Sequence, residues 1–186
     1  MRFRPVRALS FRTGFPERNK PYDMALDRSN HKTVAKDMDK QTLLDTRYLR
    51  MARIWSENSY CSRRKVGALI VKDKMIISDG FNGTPSGFPN VCEDSQGVTY
   101  PYVLHAEANA ITKVARSNNS SEGATLYVTA SPCLECSKLI IQAGIKRVVY
   151  SELYRITDGI DLLRKAGVET IFLKVPDTGT SDETNA

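Results

Sequence analysis

One histidine and two cysteines constrain this chain more than any other feature. His105 opens a His-Ala-Glu motif that ends at Glu107, and Cys133 and Cys136 belong to a Pro-Cys-x-x-Cys motif that starts at Pro132. The three side chains can supply three zinc ligands and leave a fourth tetrahedral position for water, which is typical of a catalytic zinc site. The glutamate is then available to move protons. The two motifs therefore predict a zinc-dependent hydrolytic site.

Both motifs fall where the sequence predicts a helix to begin. Residues 106–116 are rich in alanine and carry apolar residues at helical spacing. Pro132 suits a first helical turn, so the two cysteines would lie on one face of a helix that runs to Gly144. The positive ends of two helices would then favour thiolate, which is the form of cysteine that binds zinc.

A Cys-x-x-Cys pair alone also occurs in redox sites and in structural zinc knuckles. A closed four-cysteine site would have to recruit Cys61 and Cys92, whose spacing matches no usual ligand pair. It would also leave His105 and Glu107 without a role. The combined motifs favour the catalytic interpretation, and they match the signature of zinc-dependent nucleobase deaminases.

The part of the chain from residue 38 to about residue 175 resembles the deoxycytidylate (dCMP) deaminase family. The stretches that carry the resemblance are 61–71, 80–87, 100–111 and 139–150. The resemblance implies a hydrolase that converts dCMP to dUMP and ammonia and so supplies dUMP for thymidylate synthesis. It also implies one catalytic Zn²⁺ per chain.

The resemblance assigns roles to individual residues. It implies that Glu107 transfers protons while zinc-activated water attacks C4 of the cytosine ring. The Ala106 backbone N–H would meet the pyrimidine O2, and the Ser131 carbonyl would accept from the exocyclic amine. Asn82 would bind the substrate sugar, and Tyr154 would lie near the 5′-phosphate.

The glycine-rich loop 80–87 can approach a ligand closely because glycine has no Cβ. The resemblance implies a homo-oligomer, commonly a hexamer, that dCTP with Mg²⁺ activates and dTTP inhibits. The residues expected to bind this regulatory nucleotide are Gly80, Asn82, Gly83, Pro85 and Gly87. This chain has Phe81 where the family is expected to carry Tyr or Trp. A phenylalanine ring keeps the ability to stack on a ligand and loses a polar contact. A tight turn without a ligand is the structural alternative.

Four basic residues are candidates for phosphate or interface contacts. Arg63, Arg64 and Lys65 offer cations for phosphates, although a solvated charged face explains the cluster as well. Arg116 resembles a position at the subunit interface of the family.

The charge distribution separates the possible partners. Residues 1–37 hold nine Lys and Arg against four Asp and Glu, whereas residues 38–186 hold 18 against 17. A nearly neutral body disfavours a nucleic-acid polymer and permits a mononucleotide.

Three other functions share features with this sequence. A tRNA adenosine deaminase shares both motifs but would need a basic face, and free cytidine deaminases usually carry Cys in place of His105. A non-catalytic, zinc-stabilised nucleotide-sensing module would bind nucleotides without turnover, and Glu107 argues against it.

We predict one domain at 38–175, with a basic extension without periodic structure at 1–37 and a polar tail at 176–186. The extension is either an inert tail or an artefact of the chosen gene start. No apolar run reaches the roughly 18 residues that suggest a membrane span. Four cysteines, two of them in the proposed zinc site, do not form a disulfide framework. We therefore expect a cytoplasmic protein in which Cys61 and Cys92 are buried or free thiols.

The periodicity predicts an opening helix at 42–58 that packs against the core through Leu44, Tyr48, Met51 and Trp55. A hairpin follows at the sheet edge, and residues 88–102 are expected to form a lid or an interface loop. Strands predicted at 124–130, 148–150 and 168–173 then alternate with helices, including one at 158–166. This order predicts an α/β protein, a three-layer α/β/α sandwich with a mixed sheet, which is the cytidine-deaminase-like architecture that the resemblance implies.

Overall fold

The computed structural model describes residues 39–154 and 156–175. The predicted extension at 1–37 and the predicted tail at 176–186 lie outside the described residues. The helices are α1 (Lys40–Ser56), α2 (Ala106–Ala115), α3 (Leu134–Gln142) and α4 (Asp158–Lys165). The strands are β1 (Gly67–Lys72), β2 (Met75–Phe81), β3 (Thr125–Ala130), β4 (Arg147–Glu152) and β5 (Glu169–Phe172). Within the described part of the chain, no helix is long and apolar enough to cross a membrane.

The strands form one mixed sheet in the order β2-β1-β3-β4-β5. β1 is antiparallel to both β2 and β3, whereas β3, β4 and β5 run parallel to one another. Asp73 and Lys74 both have positive φ in the turn between β1 and β2, as a tight two-residue hairpin requires. The predicted hairpin at the sheet edge is confirmed.

Helices cover both faces of this sheet. On one face α1 packs over buried side chains of three strands, among them Leu69, Tyr127 and Val149. The other face carries the larger cluster, in which Ile70 and Leu126 of the sheet meet Ile140 of α3 and Leu163 of α4. The predicted three-layer α/β/α sandwich is confirmed.

The buried stripe of α1 differs from the prediction. The residues that face the sheet are Asp45, Leu49, Ala52 and Ser56, one position along from the predicted apolar stripe. Met51 and Trp55 are exposed, and the Trp55 indole Nε1 donates to Asp79 Oδ1 at 2.7 Å. Packing explains the shift: a Cβ at Gly67 of β1 would collide with the backbone of Ala52, so only the face with small residues fits against this strand.

The buried Asp45 is neutralised from the sheet. Its carboxylate accepts hydrogen bonds from both terminal nitrogens of Arg147, at 2.9 and 2.6 Å, and from the Tyr127 hydroxyl at 2.7 Å. Burial alone would raise the pKa of Asp45, but these hydrogen bonds and one from Gln41 hold it below its ordinary value. The charged pair therefore ties α1 to β4, a link that an apolar pattern cannot reveal.

Cys61 and Cys92 are buried, but they form a disulfide, so the expectation of buried or free thiols is wrong about the thiols. The long connection between β2 and α2 brings them together, because residues near Gly83 and Leu104 pair as a short antiparallel bridge and return the chain toward β1. Glu93 then lies beside the segment that precedes β1 and accepts from the backbone N–H of Ser62 at 3.1 Å. The predicted loop at 88–102 is thus fastened to the domain, and its role as a lid or interface stays a prediction.

The disulfide closes a loop with a sequence separation of 31 residues. Chain-entropy arguments give a stabilisation of about 3 to 4 kcal/mol for a loop of this length. We expect treatment with a phosphine reductant to lower the free energy of unfolding by about this amount, measured by urea denaturation. The Cys61→Ser/Cys92→Ser variant should have the same free energy of unfolding as the reduced protein, and the reductant should not change it. Equal unfolding midpoints for oxidised and reduced protein would contradict the expected contribution.

Candidate active site

The side chains of His105, Cys133 and Cys136 converge at one point. The His105 Nδ1 atom lies 3.4 Å from Cys133 Sγ and 3.3 Å from Cys136 Sγ. The three candidate ligand atoms all lie within 4.8 Å of one another. Tetrahedral zinc with ordinary bond lengths places its nitrogen and sulfur ligands about 3.5 Å apart. The donor set therefore fits a zinc ion in both composition and spacing.

Two helix N-termini deliver these ligands. His105 is the N-cap of α2, and Cys133 is the N-cap of α3, both with extended backbone. Cys136 follows in the first turn of α3 and is buried. Pro132 stands just before the N-cap rather than inside the first turn, so the helix begins two positions later than predicted, at Leu134. The positive ends of both helices face the cluster and favour anionic ligands there.

The two cysteine side chains shift each other's pKa in opposite directions. A hydrogen bond from Cys136, followed by one from His105, lowers the pKa of Cys133 to about 3. The same contact with Cys133, together with burial, raises the pKa of Cys136 above its ordinary value. A second thiolate would lie beside the first, and their repulsion keeps the proton in place. A divalent cation between the sulfurs removes that repulsion, which is further support for a metal fit.

Glu107 lies in the first turn of α2 and is only 4% exposed. Burial raises the pKa of its carboxyl above the ordinary value, while the charge of His105 opposes the shift. A buried carboxyl with a raised pKa next to a candidate metal position is suited to accept and return a proton.

A cavity of about 640 Å³ opens above the cluster. Its lining includes every residue predicted to contact substrate, namely Asn82, Ala106, Ser131 and Tyr154, together with His105, Glu107 and Cys133. Arg63 and Arg64 also line it, so two of the candidate phosphate ligands share the cavity with the metal cluster. Lys65 lies outside it and reaches the Glu57 carbonyl, and Arg116 lies exposed at the end of α2.

Asn82 does more than the sequence indicated. Its Oδ1 accepts from the Val66 N–H at 2.7 Å, and its Nδ2 donates to the Arg64 carbonyl at 2.8 Å. One amide hydrogen remains for a ligand. Ser131 is similarly engaged, because its hydroxyl accepts from the Tyr154 N–H at 2.7 Å. Both residues therefore hold the cavity wall in shape.

A second cavity of about 360 Å³ contains part of the predicted regulatory site. Gly83, Pro85 and Gly87 line it, whereas Asn82 faces the first cavity. Gly80 lines neither of these two cavities. A Cβ there would collide with the Ala106 carbonyl, so this glycine lets α2 pack closely on β2.

Sequence reasoning missed several polar residues of the two cavities. Thr84 lines the second cavity, and its buried Oγ1 has no hydrogen-bond partner among the described residues. Lys113 and Asn109 lie there too, on α2 after the His-Ala-Glu motif. In the first cavity Glu93 accepts from the Ser62 hydroxyl at 3.0 Å. Only the helical spacing of Asn109 and Lys113 from His105 could have indicated their position.

Comparison with known proteins gives a consistent result. The family model of the cytidine and deoxycytidylate deaminase zinc-binding region matches residues 43–152. The deoxycytidylate deaminase of Enterobacteria phage T4 is 38% identical over 164 residues, covering 65% of this chain and 85% of that protein. The human deoxycytidylate deaminase is 37% identical over 120 residues, covering 60% of this chain and 66% of that protein.

A solved structure is also similar. The dCMP deaminase of cyanophage S-TIM5, in complex with dCMP and dUMP, superposes with a TM-score of 0.70 at 48% identity. The match covers 74% of this chain and 100% of that chain.

We expect purified protein to carry about one zinc ion per chain and Cys136→Ala to lose it, because two ligands cannot hold the ion in a three-ligand site. Elemental analysis measures the zinc, and thermal unfolding should show a lower midpoint for the variant. Leu134→Ala, which changes an exposed side chain between the two cysteines, is the matched control and should keep its zinc. Full zinc content in Cys136→Ala would refute the ligand assignment.

Proposed function

The chain belongs to the cytidine and deoxycytidylate deaminase family, and we propose that it hydrolyses dCMP to dUMP and ammonia. The observation that carries this proposal is a single cavity that joins the buried Glu107 and the His-Cys-Cys cluster to Arg63 and Arg64. One end suits the hydrolysis of an amidine, and the other suits a phosphate. The T4 relative and the cyanophage structure, both named for dCMP, support the same substrate.

The proton transfers belong to Glu107. A zinc ion held by His105, Cys133 and Cys136 would supply an activated water as the nucleophile for C4 of the pyrimidine. Glu107 accepts a proton from that water and delivers it to ring N3, and it then takes the second proton from the attacking oxygen and gives it to the departing amine. Water supplies the new oxygen, and ammonia leaves. Because burial raises the pKa of Glu107, its carboxyl holds a proton well enough to deliver it.

The remaining contacts orient the nucleotide. The Ala106 N–H lies at the start of α2, where backbone donors have no partner within the helix, and it would meet the pyrimidine O2. The Ser131 carbonyl would accept from the exocyclic amine, and the spare amide hydrogen of Asn82 would reach the sugar. Arg63 and Arg64 would receive the 5′-phosphate beside the ring of Tyr154.

Ammonia release from dCMP, deoxycytidine, dCTP and a tRNA tests the proposal, and we expect dCMP to be the preferred substrate. Glu107→Gln should lower kcat by about 10² to 10⁴ and keep its zinc, because the amide cannot accept the proton. Glu135→Gln, a change at a 76% exposed side chain on α3, is the control. Binding of dCMP without turnover by the parent protein would favour a nucleotide-sensing module, and activity on tRNA alone would favour an RNA deaminase.

We also propose that the second cavity binds a regulatory nucleotide. The buried hydroxyl of Thr84 lacks a partner among the described residues, and the Lys113 ammonium, which pairs with Asp79 at 2.6 Å, lies 5.8 Å from the centre of the Phe81 ring. A hydrogen-bond donor, a cation and an aromatic ring together suit a nucleotide. By family likeness dCTP with Mg²⁺ would activate and dTTP would inhibit a homo-oligomer, commonly a hexamer, with Arg116 at its subunit interface.

Gly83→Val tests the regulatory site. A Cβ at Gly83 meets only the Phe81 ring, at 3.7 Å, so the substitution should leave the fold intact while it narrows the cavity. We expect the response of dCMP turnover to dCTP and dTTP to flatten, with a loss of about 5- to 150-fold in effector-linked affinity. Thr84→Ala should weaken the response, and Thr84→Ser, which keeps the hydroxyl, should retain it. A parent enzyme indifferent to both nucleotides would refute the regulatory proposal and leave the deaminase proposal standing.

A further inference from the structure

The rim of the catalytic cavity carries arginines and carboxylates in balance. Arg63, Arg64 and Glu93 line the cavity, and Glu152 stands beside Arg64, whose Nη2 donates to Glu152 Oε2 at 2.6 Å. The Glu93 carboxylate accepts from the backbone N–H of Arg63 at 3.3 Å. The Arg63 Nη1 atom donates to Thr99 Oγ1 at 3.3 Å. The cavity therefore presents two arginines, and the guanidinium of one of them, Arg64, is paired with a carboxylate that stands just outside the cavity lining.

Glu152 is fixed from two sides. It is the last residue of β4, and its backbone carbonyl accepts from the Ser131 N–H at 2.8 Å. Its second carboxylate oxygen, Oε1, lies 3.5 Å from the Arg53 Nη1 atom of α1. Since the side chain is 47% exposed, these ion pairs contribute little to stability. Their effect is to orient the side chains that they join. Glu152 thus bridges an arginine of the scaffold and an arginine of the cavity.

Arg64 is held in a defined orientation. Its guanidinium carbon lies 5.6 Å from the centre of the Tyr154 ring, and its backbone carbonyl accepts from Asn82 Nδ2. A guanidinium has five N–H donors, and Glu152 engages one of its terminal nitrogens. The other donors can serve a phosphate oxygen in the same plane.

Building on the proposed deamination of dCMP, we infer that Glu152 is a specificity-determining positioning residue. It orients Arg64 toward one 5′-phosphate, and its own charge disfavours a substrate with a second phosphate. A second phosphate would extend past Arg64 toward the Glu152 carboxylate, and the single positive charge of Arg64 cannot offset both phosphates and this carboxylate. The carboxylate and the second phosphate are both negative, so they repel each other, and this repulsion weakens binding of the diphosphate substrate alone. Deoxycytidine has no phosphate, so its turnover should not depend on Glu152.

The test compares deoxycytidine, dCMP and dCDP, each alone, in the parent protein and in Glu152→Gln. We expect kcat/KM for dCMP to fall severalfold through KM, with kcat nearly unchanged, because Arg64 loses its orientation. We expect kcat/KM for dCDP to rise, so that the preference for dCMP over dCDP falls about tenfold overall. Turnover of deoxycytidine should not change. Glu169→Gln is the matched control, because Glu169 also pairs with an arginine, but that arginine, Arg147, does not line the cavity.

Salt provides a second measurement that needs no variant. Repulsion between exposed charges is screened as ionic strength rises, so the preference of the parent protein for dCMP over dCDP should shrink with added salt. In Glu152→Gln the preference should depend less on salt. A preference that ignores both the substitution and the salt, in protein with full zinc, would overturn the inference about Glu152. Absence of dCMP turnover in the parent protein would instead overturn the proposed function.

Discussion

The convergence of two helix N-termini is the constraint on which the site depends. α2 and α3 begin at His105 and Cys133, and each start must approach the sheet closely for the ligands to meet. Two glycines permit close packing at these starts: a Cβ at Gly80 of β2 would collide with the Ala106 carbonyl, and a Cβ at Gly159 of α4, which packs against the start of α3, would collide with the Pro132 carbonyl. Backbone packing beneath the ligands therefore determines where the ligand atoms lie as much as the ligand side chains do.

The sequence predicted the order of the elements well, because strands and helices alternate with clear periodicity and turn residues after β2. It misread α1 for a physical reason. The apolar stripe through Met51 and Trp55 is mostly exposed, whereas the buried stripe holds Asp45 and small residues. An aspartate becomes a core residue only when a distant partner neutralises it, and Arg147 lies 102 positions away. A periodicity that counts apolar residues cannot detect such a partner.

The residues of the site also fall into those that the sequence predicted and those that it did not. The ligand set and Glu107 followed from donor chemistry, since few combinations of histidine, cysteine and glutamate suit an open zinc site. The residues that shape the cavity did not follow. Asn82 tethers the segment around Arg64 because it follows Phe81, which pairs with Gly67 in the β1–β2 ladder. Glu93 caps the N–H groups of Ser62 and Arg63, and this role exists only because the long β2–α2 connection returns to the segment before β1. The same return brings Cys61 to Cys92. Contacts made by an irregular loop have no sequence period to reveal them.

The two cavities share a wall, and this arrangement gives the proposed regulation a physical route. Asn82 lines the first cavity and Gly83 the second, and the disulfide has Cys61 in the first wall and Cys92 in the other. The Gly83 backbone exchanges two hydrogen bonds with Leu104, the residue before the metal-site histidine. A nucleotide that shifts this bridge must move both the amide that tethers Arg64 and the start of α2. Coupling between sites requires an element that both ligands bias, and the backbone from Asn82 to Gly83 is in contact with each cavity.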